Sequence, residues 1–380
     1  MSDQVLEAVE EKSELESLKQ EIRSRRQEFE TLRHVPGDIV RKLKKIGVYR
    51  AFVPKSLGGD ELTPAQFLHL IEELSRADAS AGWVASFGVS STYLAALPKD
   101  TFEHLYGQNP DLTFAGSIFP PQKAEKTDKG FLVNGRWPYA SGCMGADLIG
   151  GGIIDDSNDS PLPRMAVMPA DSVEIDEVWD TVGLCATGSH DIVAKDVLVS
   201  ADWTFIRGSK AERSEPIFQY PAMALAAQVL AVVGLGAARE ALDFLRESAG
   251  RKSITGGPAA GAKPYVQQDL AKAEAALAGA RAFFYDVTNK AWEQILVGDP
   301  VSPDVHLNLR LASTEAARAG ADVSRRAFEL GGTPAIIRGH TLNRCMLDAA
   351  AVGQHAFMGM GTWTAAGAVM LDQPGLPGYP

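Results

Sequence analysis

The sequence predicts an α+β fold in three parts: a helical N-terminal domain over residues 1–110, a central β-barrel or sandwich over 111–213, and a four-helix bundle over 214–380. Three observations carry this reading. The hydrophobic period turns from helical to strand-like near Leu112 and back again near Pro216. At 380 residues the chain exceeds what one hydrophobic core usually organises. Two glycine-punctuated segments about forty residues apart interrupt the β part: Gly135-Arg136-Trp137-Pro138-Tyr139-Ala140-Ser141-Gly142 and Gly183-Leu184-Cys185-Ala186-Thr187-Gly188-Ser189-His190-Asp191.

Residues 4–33 form a charged amphipathic helix with Leu15, Leu18, Ile22 and Phe29 at helical spacing. Pro36-Gly37-Asp38 opens a second helix ending near Gly47, and the Pro- and Gly-bearing stretch 48–59 is a connector. Helices follow over 64–77, 80–97 and 100–107. Short apolar runs then read as strands at 131–133, 148–154, 165–168, 192–193 and 197–199, with loops at 127–130, 155–163 and 178–180. Four long helices are expected over 220–249, 265–297, 304–330 and 341–371, joined by loops at 255–264, 298–303 and 331–339, as in an up-down bundle.

The net charge of −11, with no basic cluster, argues against nucleic acid as a partner. Cys143, Cys185 and Cys345 are far apart, with neither metal spacing nor a disulfide framework, which fits a reducing cytoplasm. Residues 1–33 are charged throughout, unlike a signal peptide. The uncharged stretch 216–238 has the length of a membrane span. Its Ala and Gly content, with Gln219, Pro221 and Gln228, points instead to a buried bundle helix and no membrane partner. His34, His69, His104, His190, His306 and His340 are scattered without ligand spacing, so no metal is expected.

Gly234-Leu235-Gly236-Ala237-Ala238-Arg239 imitates a dinucleotide fingerprint, but it ends on Arg within a helical pattern. The run 256–261 imitates a phosphate loop, yet Ala262 stands where Lys is needed. Neither run is therefore read as a site for NAD(P)H.

The first glycine segment sets a hydroxyl and backbone amides beside a large aromatic, chemistry that suits a flat, polar-edged ring such as an isoalloxazine. Taken together, the two segments resemble the acyl-CoA dehydrogenase superfamily. They are most similar to its oxygenase branch, the flavin-dependent aromatic monooxygenases served by a separate reductase. The resemblance runs from about Pro36 to about Leu371. It implies reduced flavin (FADH2 or FMNH2) and O2 as cofactors, a small aromatic substrate to be hydroxylated or epoxidised, a separate NAD(P)H:flavin reductase, and a homotetramer built through the bundle.

The resemblance also implies site residues. Trp137, Tyr139, Ser141 and Gly142 lie along the flavin, with Ser141 near N5, where a hydrogen bond discourages loss of hydrogen peroxide. Ala115-Gly116-Ser117-Ile118-Phe119-Pro120 takes the place of an acidic loop in the dehydrogenases. Ser117 there reads either as a turn hydroxyl or as a group over flavin and substrate. Arg251, followed by Lys252, reads as a solvated charge pair or as the planar fork that meets flavin phosphate. Gly331-Gly332 matches a turn near the nucleotide portion, or is a plain helix cap.

The last helix distinguishes the reaction classes. It holds no Asp or Glu from 349 to 371, where the dehydrogenases place their base, and His355 stands nearby as a proton-handling group. Ser90 occupies the position where phenol-hydroxylating relatives carry a His, which favours a substrate electron-rich when neutral, such as an indole. Trp83, Phe87, Phe119 and Trp137 would form apolar walls that exclude water. The alternatives are a dehydrogenase acting on an acyl thioester and a non-enzymatic flavin- or aromatic-binding protein.

Overall fold

The stripe of Leu18, Ile22 and Phe29 is buried as its spacing requires, along α1 (Asp3–Leu32) of a computed structural model that describes residues 3–155, 163–206, 208–209, 211–251 and 256–374. In α2 (Gly37–Lys45), Ile39, Val40 and Leu43 turn inward, while Lys42, Lys44 and Lys45 sit in the last turn, where the helix dipole favours cations. The N-terminal helices continue with α3 (Pro64–Ala77), α4 (Ala79–Ala85), α5 (Ser90–Leu94) and α6 (Lys99–Gln108).

The single helix expected over 80–97 is divided, because a 3-10 turn, Ser86–Val89, separates α4 from α5. Ser90 Oγ donates to the Phe87 carbonyl at 2.5 Å and lies 3.1 Å from the Phe114 carbonyl. Such side-chain bonds compete with the helical ladder.

The centre is one mixed sheet rather than a closed barrel. Its strands are β1 (Phe114–Thr127), β2 (Gly130–Trp137), β3 (Leu148–Ile154), β4 (Arg164–Pro169), β5 (Glu174–Asp176), β6 (Asp191–Val199) and β7 (Thr204–Ile206), in the order β5-β6-β2-β1-β3-β4-β7. Only β1 and β3 run parallel among the described pairs. The long β1 serves both halves, pairing with β3 from Phe114 and with β2 from Ala124, and its register shifts between Ser117 and Gln122. Val133, Trp137 and Ile192 from one half share a core with Ile149, Ala166 and Met168 from the other, so the sheet closes over itself like a sandwich.

The C-terminal helices are α7 (Ala222–Ser248), α8 (Pro264–Leu296), α9 (Pro303–Gly331), α10 (Thr341–Val352) and α11 (Gly361–Met370). By length and composition α7 could cross a membrane, and 83% of its apolar window is buried within the protein. The dinucleotide-like glycines are packing devices. A Cβ on Gly320 of α9 would fall 2.6 Å from the Gly234 carbonyl, and one on Gly236 would fall 2.6 Å from the Glu72 carbonyl of α3. Glycine there allows helices to cross at backbone contact.

The unbroken last helix expected over 341–371 is a correction: α10 stops before Gly353 and α11 begins at Gly361, with a 3-10 turn, Ala356–Met358, between them. The cause is local. His355 takes extended backbone (φ −64, ψ 142), and its Nδ1 accepts the Phe357 N–H at 3.2 Å, ending one helix and capping the next turn.

Contact density divides the chain into two compact units, one of residues 1–63, 84–181 and 185–222, the other of 64–83, 182–184 and 223–380. Thus α3 belongs with the C-terminal helices. It joins α8 through the buried Glu72 carboxylate, which accepts from Arg281 Nε at 2.8 Å and Tyr285 OH at 2.7 Å, while His69 stacks on Tyr285 at 3.9 Å. Burial would raise the Glu72 pKa, but donors from His69, Arg281 and Tyr285 outweigh it and hold the carboxyl below its ordinary value.

A carboxyl depressed in the folded state contributes stability above its unfolded pKa, and that contribution disappears as pH falls through the folded value. Below about pH 4.5 the protein should therefore lose stability steadily, and Glu72→Gln should flatten that acid limb while costing roughly 1–2 kcal/mol at pH 7, the exposed Arg281 being screened. Urea unfolding from pH 3 to 7 measures this; parallel curves for the two proteins would refute it.

Candidate active site

In the first unit, strand register brings the two glycine segments together. Trp137 pairs with Ile192 at the end of the β2–β6 ladder. Beyond it the pairing continues through Ala140 N–H to the His190 carbonyl at 3.0 Å and Gly142 N–H to the Thr187 carbonyl at 2.8 Å. The turn is tight, with positive φ at Tyr139 (62) and Gly142 (76). A chain of buried hydroxyls crosses between the segments: Ser141 Oγ is 2.6 Å from Ser189 Oγ, which is 2.6 Å from Thr187 Oγ1. Cys143 next door donates to the Gly188 carbonyl at 3.3 Å, and burial pushes its thiol up to about 12, which leaves it inert at neutral pH.

Beside this turn lies a small, largely apolar recess with Gly142, Val84, Phe87, Phe114 and Tyr49 among its walls. A Cβ on Gly142 would stand 3.7 Å from the Phe87 ring and 3.9 Å from Val84. Bare backbone therefore faces an apolar wall, next to a hydroxyl-bearing edge. Bare backbone beside an apolar wall is the chemistry that a flat, polar-edged ring calls for.

Other residues singled out from sequence fall differently. Trp137 is fully buried in the sheet core, its indole N–H donating to the Gly152 carbonyl at 2.8 Å. A Cβ on Gly151 would be 2.9 Å from that ring. Tyr139 is 70% exposed and meets Trp179 edge-on at 6.3 Å. The segment read as a loop at 115–120 lies within β1 instead. There Ser117 pairs with Gly151 and gives its hydroxyl to the Phe119 carbonyl at 3.1 Å, and Phe119 is 56% exposed. The buried Ser90 hydroxyl lies within donating distance of the Phe87 and Phe114 carbonyls, and a serine there offers no group that titrates near neutrality.

In the second unit, His355 occupies the break between α10 and α11, half-buried among aromatic rings. Trp83 meets it edge-on at 5.8 Å and Phe357 at 4.8 Å, with the Arg310 guanidinium 5.7 Å from the Phe357 ring. Because Nδ1 accepts from Phe357, a neutral His355 carries its proton on Nε2. In α10, Asp348 Oδ1 accepts the Leu184 N–H at 2.7 Å. A Cβ on Gly183 would be 2.2 Å from the Leu347 carbonyl, so only glycine lets that segment lie against α10.

Arg251, Gly331 and Gly332 converge on one end of this unit. The exposed Arg251 guanidinium sits 5.7 Å from the Phe244 ring, which meets His340 edge-on at 5.1 Å. His340 caps α10, and Gly331 packs against Leu342 in its first turn. Gly332 (φ 64) faces open space. Burial and the Arg251 charge lower the His340 pKa, so its ring is neutral at pH 7 beside a fixed cation. Lys252 lies outside the described residues. No cluster of metal-binding type occurs among the described residues.

Ser189 and Thr187 carried no assigned role in the sequence. The signal that could have found them is register: pairing the two segments residue by residue places their hydroxyls opposite Ser141.

Residues 12–99 match the acyl-CoA dehydrogenase N-terminal domain family, and residues 228–360 match its C-terminal domain family. The chain is 54% identical to an indole-3-acetate monooxygenase of Pseudomonas putida, over 94% of this chain and 92% of that protein. The chain belongs to the acyl-CoA dehydrogenase superfamily. Its other relatives place it in the oxygenase branch. It is 27% identical to the oxygenase subunit HsaA of a Rhodococcus jostii flavin-dependent monooxygenase, over 90% of this chain and 93% of that one. The crystal structure of a 3-HSA hydroxylase from Rhodococcus sp. RHA1 superposes with a TM-score of 0.87 at 25% identity, covering 95% of this chain and 96% of that one. The protein is the oxygenase component of a two-component flavin-dependent monooxygenase, using reduced flavin and O2 on an aromatic substrate and depending on a separate flavin reductase.

Proposed function

We propose that the aromatic substrate is an indole carrying a short acidic side chain, with indole-3-acetate the leading candidate. The observation that carries the choice of an indole over a phenol is Ser90, and the acidic side chain rests on the Pseudomonas putida relative. A serine hydroxyl, here donating to the Phe87 or Phe114 carbonyl, is not a base that ionises a phenol. An indole ring is electron-rich while neutral and needs no such base. The Pseudomonas putida relative's name supports the same choice.

Reduced flavin, when bound, supplies activation of oxygen and delivery of one oxygen atom to the aromatic ring. The protein's residues do the rest. Ser141 and the backbone at Gly142 would hold the polar rim of the ring. Phe87, with Val84, keeps water from its face. His355 handles the proton at Nε2, with Trp83 and Phe357 fixing its plane. Arg251, near Gly331 and Gly332, meets the flavin phosphate as a planar fork. Trp137 contributes by anchoring the turn from within the core.

The protein works in the cytoplasm as a homotetramer, free of membrane and nucleic acid, with a NAD(P)H:flavin reductase as donor of FADH2 or FMNH2. The test supplies chemically reduced FAD or FMN, O2 and, separately, indole-3-acetate, indole and 4-hydroxyphenylacetate, with products followed by mass spectrometry. Oxygenation of the indoles and not the phenol is expected; the reverse preference would reject the substrate assignment. Light scattering decides the tetramer.

A further inference from the structure

The hydroxyl chain is more than a packing detail. Ser141, Ser189 and Thr187 are each buried, and successive oxygens stand 2.6 Å apart. A hydroxyl has one proton and two lone pairs. Ser189, lying between the other two, can give its proton to one neighbour while it accepts from the other. The chain therefore has two polarities. Running from Thr187 through Ser189, it leaves the Ser141 proton available to a ligand. Running the other way, it turns Ser141 into an acceptor. In a buried setting the bonds polarise one another, so the chain switches as a unit and no heavy atom moves.

We infer that Ser189, backed by Thr187, is a positioning residue that fixes the Ser141 hydroxyl and lets it either donate or accept. This rests on the flavin-dependent reading of the site. It matches what that ring demands, since N5 carries a hydrogen in the reduced ring and none in the oxidised one. An isolated serine could turn to meet either, but at the cost of ordering its rotor each time. The backbone holds the chain in register, with Gly142 N–H on the Thr187 carbonyl at 2.8 Å and Ala140 N–H on the His190 carbonyl at 3.0 Å.

The experiment compares wild type with Ser141→Ala, Ser189→Ala, Ser189→Thr and the double variant Ser141→Ala/Ser189→Ala. Binding of oxidised and of anaerobically reduced flavin is measured by fluorescence, and the ratio of hydrogen peroxide released to aromatic product is measured in turnover. Ser189→Ala should weaken both flavin forms about threefold to tenfold, the worth of one hydrogen bond, and raise the peroxide ratio. Ser189→Thr, which keeps the hydroxyl, should restore both, and the double variant should be no worse than Ser141→Ala, because coupled residues are not additive.

Melting curves separate this from misfolding, since a merely structural Ser189 would lower the melting temperature and leave the peroxide ratio alone. Wild-type binding by Ser189→Ala, or additive losses in the double variant, would overturn the inference. A wild-type protein that binds flavin but makes no oxygenated product would fail the functional reading alone, because the binding comparison still decides the role of Ser189.

Discussion

His355→Asn should lower the rate of substrate oxygenation about a hundredfold while leaving flavin affinity within about twofold of wild type. The choice of Asn follows from geometry. His355 does two jobs with two nitrogens: Nδ1 accepts the Phe357 N–H at 3.2 Å and holds the turn, and Nε2 is left to carry the neutral ring's proton. An amide oxygen replaces the first and cannot replace the second, since an amide does not titrate near neutrality. His355→Ala removes both, so it should show the same loss of rate plus roughly 1 kcal/mol of stability from the lost cap. Single-turnover oxygenation of indole-3-acetate by protein mixed with pre-reduced flavin reads the rate, and thermal melting reads the cap. If His355→Asn turns over like wild type, the ring's proton has no part in the reaction, whatever His355→Ala does.

The position of His355 also shows where sequence reading stops. From Thr341 to Met370 the small and apolar residues keep helical spacing, so periodicity alone continues the helix through 355. What breaks it is a histidine that caps its own turn, flanked by Gly353, Gly359 and Gly361. Ser, Thr, Asp and Asn are the readable caps; a capping His has no comparable signature. Likewise Gly234 and Gly236 were legible as not binding a dinucleotide, but their use at two helix crossings needed the partners Gly320 and Glu72, far away in sequence. The strands over 148–154 and 165–168, by contrast, were set by their own apolar runs and emerge almost residue for residue. The hydroxyl chain lies between these cases. Every member was in a quoted motif, and only the β2–β6 register joined them.

Trp137 carries the largest expected effect on stability. Trp137→Ala should cost about 3–5 kcal/mol, out of a total of roughly 5–15 for a typical fold, and should leave the protein close to unfolded at 37 °C. The fully buried ring belongs to the same core cluster as Val133, Ile149, Ile153 and Ile192, and its N–H donates to the Gly152 carbonyl at 2.8 Å.

Trp137→Phe separates packing from cofactor contact. It keeps most of the apolar volume but orphans the Gly152 carbonyl, a loss of about 1–3 kcal/mol. Because the ring is enclosed by the core, its influence on flavin runs through the backbone of the turn it anchors. Flavin affinity of Trp137→Phe should therefore stay near wild type while its melting temperature falls. Were the indole instead stacked on the flavin, the order would reverse, with affinity lost and the melting point spared. A fluorescence titration alongside a melting curve distinguishes the two, and only the first pattern is compatible with a tryptophan whose polar atom is already bound inside the sheet.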